Sequence, residues 1–117
     1  MSQRKFTRVK ISAVAKIEYN DQIISGEIME ISLLGLFIKT DAKIPVNQSV
    51  HVKASYLNKV FHFPATVIYK KDHGLGLKIN EIELPSFFQL RELVASKIQD
   101  PDAVIRETFI MADIING

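Results

Sequence analysis

The sequence predicts a mainly β domain: a small antiparallel barrel or sandwich of six or so strands, followed by one or two C-terminal helices. Three observations carry that reading. From about Val9 to Asn80, short apolar-rich runs are separated by turn residues. Several of these runs alternate with period two, which places apolar side chains on one face of a strand. After Asn80 the apolar spacing lengthens to that of a helix.

The first strand is clearest in Val14-Ala15-Lys16-Ile17-Glu18-Tyr19, and Asn20-Asp21 comes next with side chains that tolerate left-handed backbone. A second strand runs through Ile23-Ile24 and Glu27 to Ile31, with Gly26 expected as a bulge. Gly35 breaks the run, and Leu36-Phe37-Ile38-Lys39-Thr40 resumes it. Asp41 to Ser49, with Pro45 and Asn47, reads as a loop. Val50 to Tyr56 alternates again, Leu57-Asn58-Lys59 turns, and Val60 to Lys70 is a long β-branched and aromatic strand. Pro64 inside it implies an edge or a bulge, because proline cannot donate to a ladder. Lys71 to Gly74 turns once more before Leu75-Gly76-Leu77-Lys78-Ile79.

Beyond this, Pro85 suits the first turn of a helix whose Phe87, Leu90, Leu93, Val94 and Ile98 share one face. Asp100-Pro101 is expected to end it, and Asp102 to cap a second helix. Val104, Ile105, Phe109, Met111 and Ile114 are too scattered to choose between a docked helix and a partner-binding one. The organisation expected is one domain over residues 1–99 with a helical tail over 100–117.

With 117 residues, 47% of them hydrophobic and 24% charged, the chain has the balance of an ordinary globular domain. It contains no cysteine, which excludes disulfides, thiolate metal sites and cysteine nucleophiles. No stretch approaches the ~18 uninterrupted apolar residues of a bilayer-spanning helix. A cytoplasmic protein without membrane insertion is expected. Net charge is +2, too weak for a nucleic-acid coat, although Arg4, Lys5, Arg8 and Lys10 crowd the first ten residues.

Enzymatic constellations are missing from the pattern. His51, His62 and His73 stand isolated in the sequence, without metal-ligand spacing. Gly74-x-Gly76 is too short for a dinucleotide fingerprint and precedes a strand. Two motifs remain: Arg4-Lys5-Phe6-Thr7-Arg8, and Glu30-Ile31-Ser32-Leu33-Leu34-Gly35. Each has a plain structural alternative. Glu30 suits a solvent-facing strand position, and Ser32 suits turn closure through its hydroxyl.

In this order ahead of a barrel pattern, the two motifs resemble the PilZ family, which carries Arg-x-x-x-Arg in an N-terminal loop and Asp/Asn-x-Ser-x-x-Gly at the end of a barrel strand. Leu36 to Thr40 looks like the family's next strand, and Gly74 to Ile79 is similar to its closing one. The resemblance covers roughly residues 4 to 98. It implies a six-stranded antiparallel PilZ-type β-barrel acting as a non-catalytic receptor for cyclic di-GMP, with no cofactor. The ligand-binding residues implied are Arg4, Arg8, Glu30, Ser32 and Gly35. The arginines would fork onto phosphates or grip guanine, and Glu30 would accept from guanine N–H groups. Glu30 departs from the family's Asp or Asn by one methylene.

The mechanism expected is ordering of an N-terminal arm, with Arg4 and Arg8 solvated until ligand arrives. The partners expected are cyclic di-GMP and an unidentified protein, with no nucleic acid, and the chain is expected as a monomer or homodimer. The alternative is an adaptor that has lost nucleotide binding and acts in pilus or flagellar machinery. A third reading, a barrel binding single-stranded nucleic acid, would need aromatic platforms. Phe61, Phe63 and Tyr69 fall on one strand face and are expected in the core instead.

Overall fold

Buried and exposed residues alternate without a break from Val9 to Glu18, so one face of this first strand belongs wholly to the core. The computed structural model describes residues 6–116, in which six strands close into a barrel. They are β1 (Val9–Tyr19), β2 (Gln22–Ile31), β3 (Gly35–Lys39), β4 (Ser49–Tyr56), β5 (Lys59–Lys71) and β6 (Gly74–Ile79). Around the barrel the order is β1-β2-β3-β6-β5-β4, every neighbouring pair is antiparallel, and β4 closes back onto β1. Closure leaves no edge strand, which removes the exposed ladder that open sheets must protect.

Turn chemistry sets the hairpins. Asn20 and Asp21 both take positive φ (50° and 62°), as do Asp72 and His73 (49° and 60°), the pattern of a two-residue primed turn. The barrel interior is filled by Ile17, Ile28, Ile38, Val52, Phe61, Phe63, Val67 and Ile79, none more than marginally exposed. The Phe61 and Phe63 rings stack with centroids 6.2 Å apart.

Two local expectations are corrected. Gly26 is not a bulge: it pairs with Ala15 in regular register. A Cβ there would lie 2.5 Å from Ile38 Cγ2, so the glycine answers to the close approach of β3. Pro64 is not on an edge, since β5 is paired on both sides. Its carbonyl accepts from Asn80 N–H at 3.0 Å, just past the Ala65–Ile79 pair where the β6 ladder begins. The missing proline donor therefore falls beyond the end of that ladder.

A short strand β7 (Ile82–Glu83) leads into helix α1 (Leu84–Lys97), which buries Phe87, Leu90, Leu93 and Val94 chiefly against β5. The helix starts one residue before Pro85, which stands in its first turn. Asp100-Pro101 does not end this helix but opens the next. Helix α2 (Pro101–Ile110) is capped by Asp100, whose carboxylate accepts Asp102 N–H at 3.1 Å. A single 3-10 turn (Met111–Ile114) and β8 (Ile115–Asn116) are the last described elements, with β8 pairing parallel to β7. Met111 is fully buried among the core residues, so the tail is docked on the domain. Ile105, Phe109 and Ile110 face outward. Among the described residues no helix is long and apolar enough to cross a membrane.

Candidate ligand site

Three register shifts lie around one corner of the barrel. β1 gains a residue between Lys10 and Ala13, β2 gains one between Ile28 and Glu30, and β5 gains one between Val67 and Tyr69. A bulge reverses which face the next side chains take. Strict alternation from buried Ile28 would turn Glu30 inward; the extra residue turns it out and sends Ile31 into the core. In β5 the same device turns Tyr69 out after buried Val67. Tyr69 therefore does not line the core with Phe61 and Phe63, because the bulge breaks the parity that placed it there.

Two glycines make room for the aromatic rings. Gly76 pairs with Phe37 on one side and Tyr69 on the other. A Cβ on Gly76 would sit 2.1 Å from the Tyr69 ring, and one on Gly74 would sit 2.2 Å from the Phe37 ring. Without those carbons the two rings lie flat over β6, 6.2 Å apart and inclined by 18°. They form a shelf beside Glu30.

Arg8 stands just ahead of β1, one place before inward-facing Val9, and so points outward. Its Nη1 lies 3.2 Å from Glu30 Oε1. Directly across the β1–β2 ladder from Glu30 is Lys10. Arg8 is exposed, its side chain 43% accessible, yet already engaged with Glu30 before any ligand arrives. The arm is also tied one residue earlier, where Glu107 on α2 accepts from Thr7 N–H at 2.8 Å and from Thr7 Oγ1 at 2.6 Å. Arg4 lies outside the described residues.

The turn between β2 and β3 is closed by Ser32. Its amide donates to Gly35 O at 2.8 Å, and its Oγ accepts from the amides of Leu34 and Gly35 at 3.2 and 3.1 Å. The hydroxyl proton is directed back to Gly35 O at 3.3 Å. A hydroxyl has one donor and two acceptor positions, and here all are engaged. Gly35 has no positive φ; its constraint is steric, because a Cβ would lie 2.5 Å from Leu77 O on β6.

These pieces surround a cavity of about 190 Å³. Arg8, Glu30 and Lys78 supply its charge, Phe6, Phe37 and Tyr69 its aromatic wall, and Gly35 and Leu77 part of its floor. The structure thus brings Arg8, Glu30, Ser32 and Gly35 together. Phe37 and Tyr69 join them unannounced by the motifs. The available signal was Gly74-x-Gly76 inside a strand, a pattern that marks close approach.

The family model for the PilZ domain matches residues 2–96. The chain belongs to the PilZ domain family. No curated protein gives a significant match. Among solved structures, the PilZ domain of YcgR from Escherichia coli with cyclic di-GMP is similar at TM-score 0.69 and 16% identity, over 96% of this chain and 98% of that one. The PilZ domain of CeSA from a cellulose-synthesising bacterium gives 0.63 at 18% identity, over 77% of this chain and 96% of that one. The Bacillus subtilis inhibitor of motility, MotI, gives 0.66 at 15% identity, and this chain's 94% coverage corresponds to 53% of that longer protein. At these identities the likeness is one of fold.

Away from the cleft of this PilZ domain, His51 and His62 are not isolated. Their Nε2 and Nδ1 atoms are 3.2 Å apart on the outside of the β4–β5 pair. No cluster of three or more metal-ligating side chains occurs among the described residues.

Proposed function

We propose that this PilZ domain is a non-catalytic receptor for cyclic di-GMP, bound in the cleft between the Arg8 arm and the β2–β3 turn. The observation that carries the reading is convergence. Residues from the arm, two strand bulges and the β2–β3 turn meet at one cavity, where a guanidinium, a carboxylate and an aromatic shelf lie side by side. That set matches the ligand's chemistry. Its phosphodiesters are anionic, its guanines present N7 and O6 as acceptors and N1–H and N2–H as donors, and its bases are flat.

In this reading Arg8 leaves Glu30 for a phosphate or a guanine edge. Arg4, four residues earlier, supplies a second guanidinium. Exposed ion pairs contribute about 0–1 kcal/mol, so breaking the Arg8–Glu30 pair costs little against two charge-assisted hydrogen bonds. Glu30, released, accepts from guanine, which discriminates against adenine. Tyr69 offers its face to a base, and Lys78 adds attraction. Ser32 works through the turn, holding the Leu34 and Gly35 amides in place rather than reaching for the ligand. The cavity, about 190 Å³, is smaller than the usual ~300–1,000 Å³ of ligand sites, and the Arg8 side chain swinging off Glu30 widens it as the ligand enters. The fold's resemblance to the YcgR domain solved with cyclic di-GMP supports the same ligand class. A signal then leaves by protein–protein contact.

Calorimetric titration with cyclic di-GMP, with cyclic di-AMP and GTP as controls, tests this. Arg8→Ala is expected to weaken binding at least about 100-fold, the loss of two charge-assisted bonds. Unchanged affinity would overturn the assignment.

A further inference from the structure

We propose that Glu107 is a positioning residue for the arginine arm, and that helix α2 is thereby coupled to occupancy of the cleft. The proposal rests on the receptor reading above for its ligand, and on a separate contact for its geometry. Glu107 lies on α2, beyond residues 2–96 that the family model matches. It is the sole charged side chain that is buried among the described residues, at 6% exposure. Burying a carboxylate is costly unless hydrogen bonds replace its water. Here the two oxygens divide the work: Oε1 accepts the Thr7 amide at 2.8 Å and Oε2 accepts the Thr7 hydroxyl at 2.6 Å. One hundred residues of chain separate the partners.

The place of this contact gives it a consequence for binding. Thr7 lies between Arg4 and Arg8 and is joined to Arg8 by one peptide bond, so fixing the Thr7 amide limits where the Arg8 side chain can start from. The next contact along the chain is the Arg8–Glu30 pair at 3.2 Å. Arg8 lines both the cleft and a second, open groove that the arm and β1 form with Lys97, Asp100, Arg106 and Glu107. The arm is thus the wall between α2 and the ligand cavity. A tie on one side of that wall preorganises the side chain on the other, which lowers the ordering cost of binding. Coupling of this kind is reciprocal: if docked α2 raises ligand affinity, bound ligand holds α2 down by the same factor.

The test compares wild type with Glu107→Ala and Glu107→Gln, the amide keeping the side chain's shape and one acceptor. Three quantities are read: amide hydrogen exchange, cyclic di-GMP affinity and Tm. Without ligand, exchange at residues 7–10 is expected to quicken in Glu107→Ala and less in Glu107→Gln. Affinity is expected to fall roughly tenfold in Glu107→Ala, within the usual range of coupled sites. In wild type, saturating cyclic di-GMP is expected to slow exchange across residues 101–110. Unchanged arm exchange in both variants overturns the clamp. A freed arm with wild-type affinity, or a fall in Tm alone, overturns the coupling and leaves Glu107 a stability residue. Should Glu107→Ala fail to fold, Glu107→Gln and the wild-type exchange of α2 still decide. A wild-type chain that ignores cyclic di-GMP overturns the receptor reading and the coupling with it, while arm exchange judges the clamp separately.

Discussion

At position 30 the chain carries Glu where the family usually has Asp or Asn, and its carboxylate stands 3.2 Å from Arg8 Nη1. Shortening the side chain removes a rotor and loosens that pair. Glu30→Asp is therefore expected to bind cyclic di-GMP as tightly as wild type or several-fold tighter by calorimetry. No binding in either form would favour an adaptor that has lost the nucleotide. Tyr69 makes a different kind of contribution, since its ring is already flat and half-buried over Gly76 before any base arrives. Stacking of a base on an aromatic ring is worth about 1–3 kcal/mol, so Tyr69→Ala should weaken binding roughly 5- to 150-fold. Tyr69→Phe keeps the stacking face and should bind within about twofold of wild type. Equal affinity in the alanine variant would place the base elsewhere.

Bulges are the device at the level of strands. Those in β2 and β5 each insert a single residue and re-aim the side chains beyond it: Glu30 and Tyr69 turn toward the cleft while Ile31 stays in the core. The β2–β3 turn complements them by holding two amides on one hydroxyl, with Gly35 pressed against β6. Adding a methyl at Gly35 forces its Cβ onto the Leu77 carbonyl, and backbone cannot yield as a side-chain tip can. Overpacking of this sort costs about 1–3 kcal/mol, so Gly35→Ala should lower Tm by roughly 4–12 °C in a thermal melt. An unchanged melt would mean that β3 can shift without loss.

Taken whole, the domain is a closed barrel with a charged corner, and its net charge of +2 understates the field there. Arg8, Lys10 and Lys78 stand near one carboxylate, Glu30. Binding of a doubly anionic ring at such a corner must weaken as salt screens it, the Debye length falling from about 10 Å at 0.1 M to about 3 Å at 1 M. Affinity for cyclic di-GMP should fall on the order of tenfold between about 0.05 and 0.5 M salt. Salt-independent binding would show that charge does not carry recognition. The tail belongs to this scale too. The tail, which the sequence pattern sets apart from the barrel, returns to it over residues 100–116 through Met111, the β7–β8 pair and Glu107.

The amino-acid sequence determined the strands, the hairpin turns, the buried face of α1 and the residues of the two motifs. All of these depend on neighbours a few positions away: period-two alternation, left-handed Asn and Asp, helical spacing. Tertiary structure alone decided that Tyr69 leaves the core, that Gly26 answers to β3, that Pro64 sits past a ladder's end, and that Glu107 holds Thr7. Each of those depends on register between strands or on segments brought together from distant parts of the chain. A one-residue slip in pairing reverses every side chain beyond it, and nothing local in the sequence marks where the slip occurs.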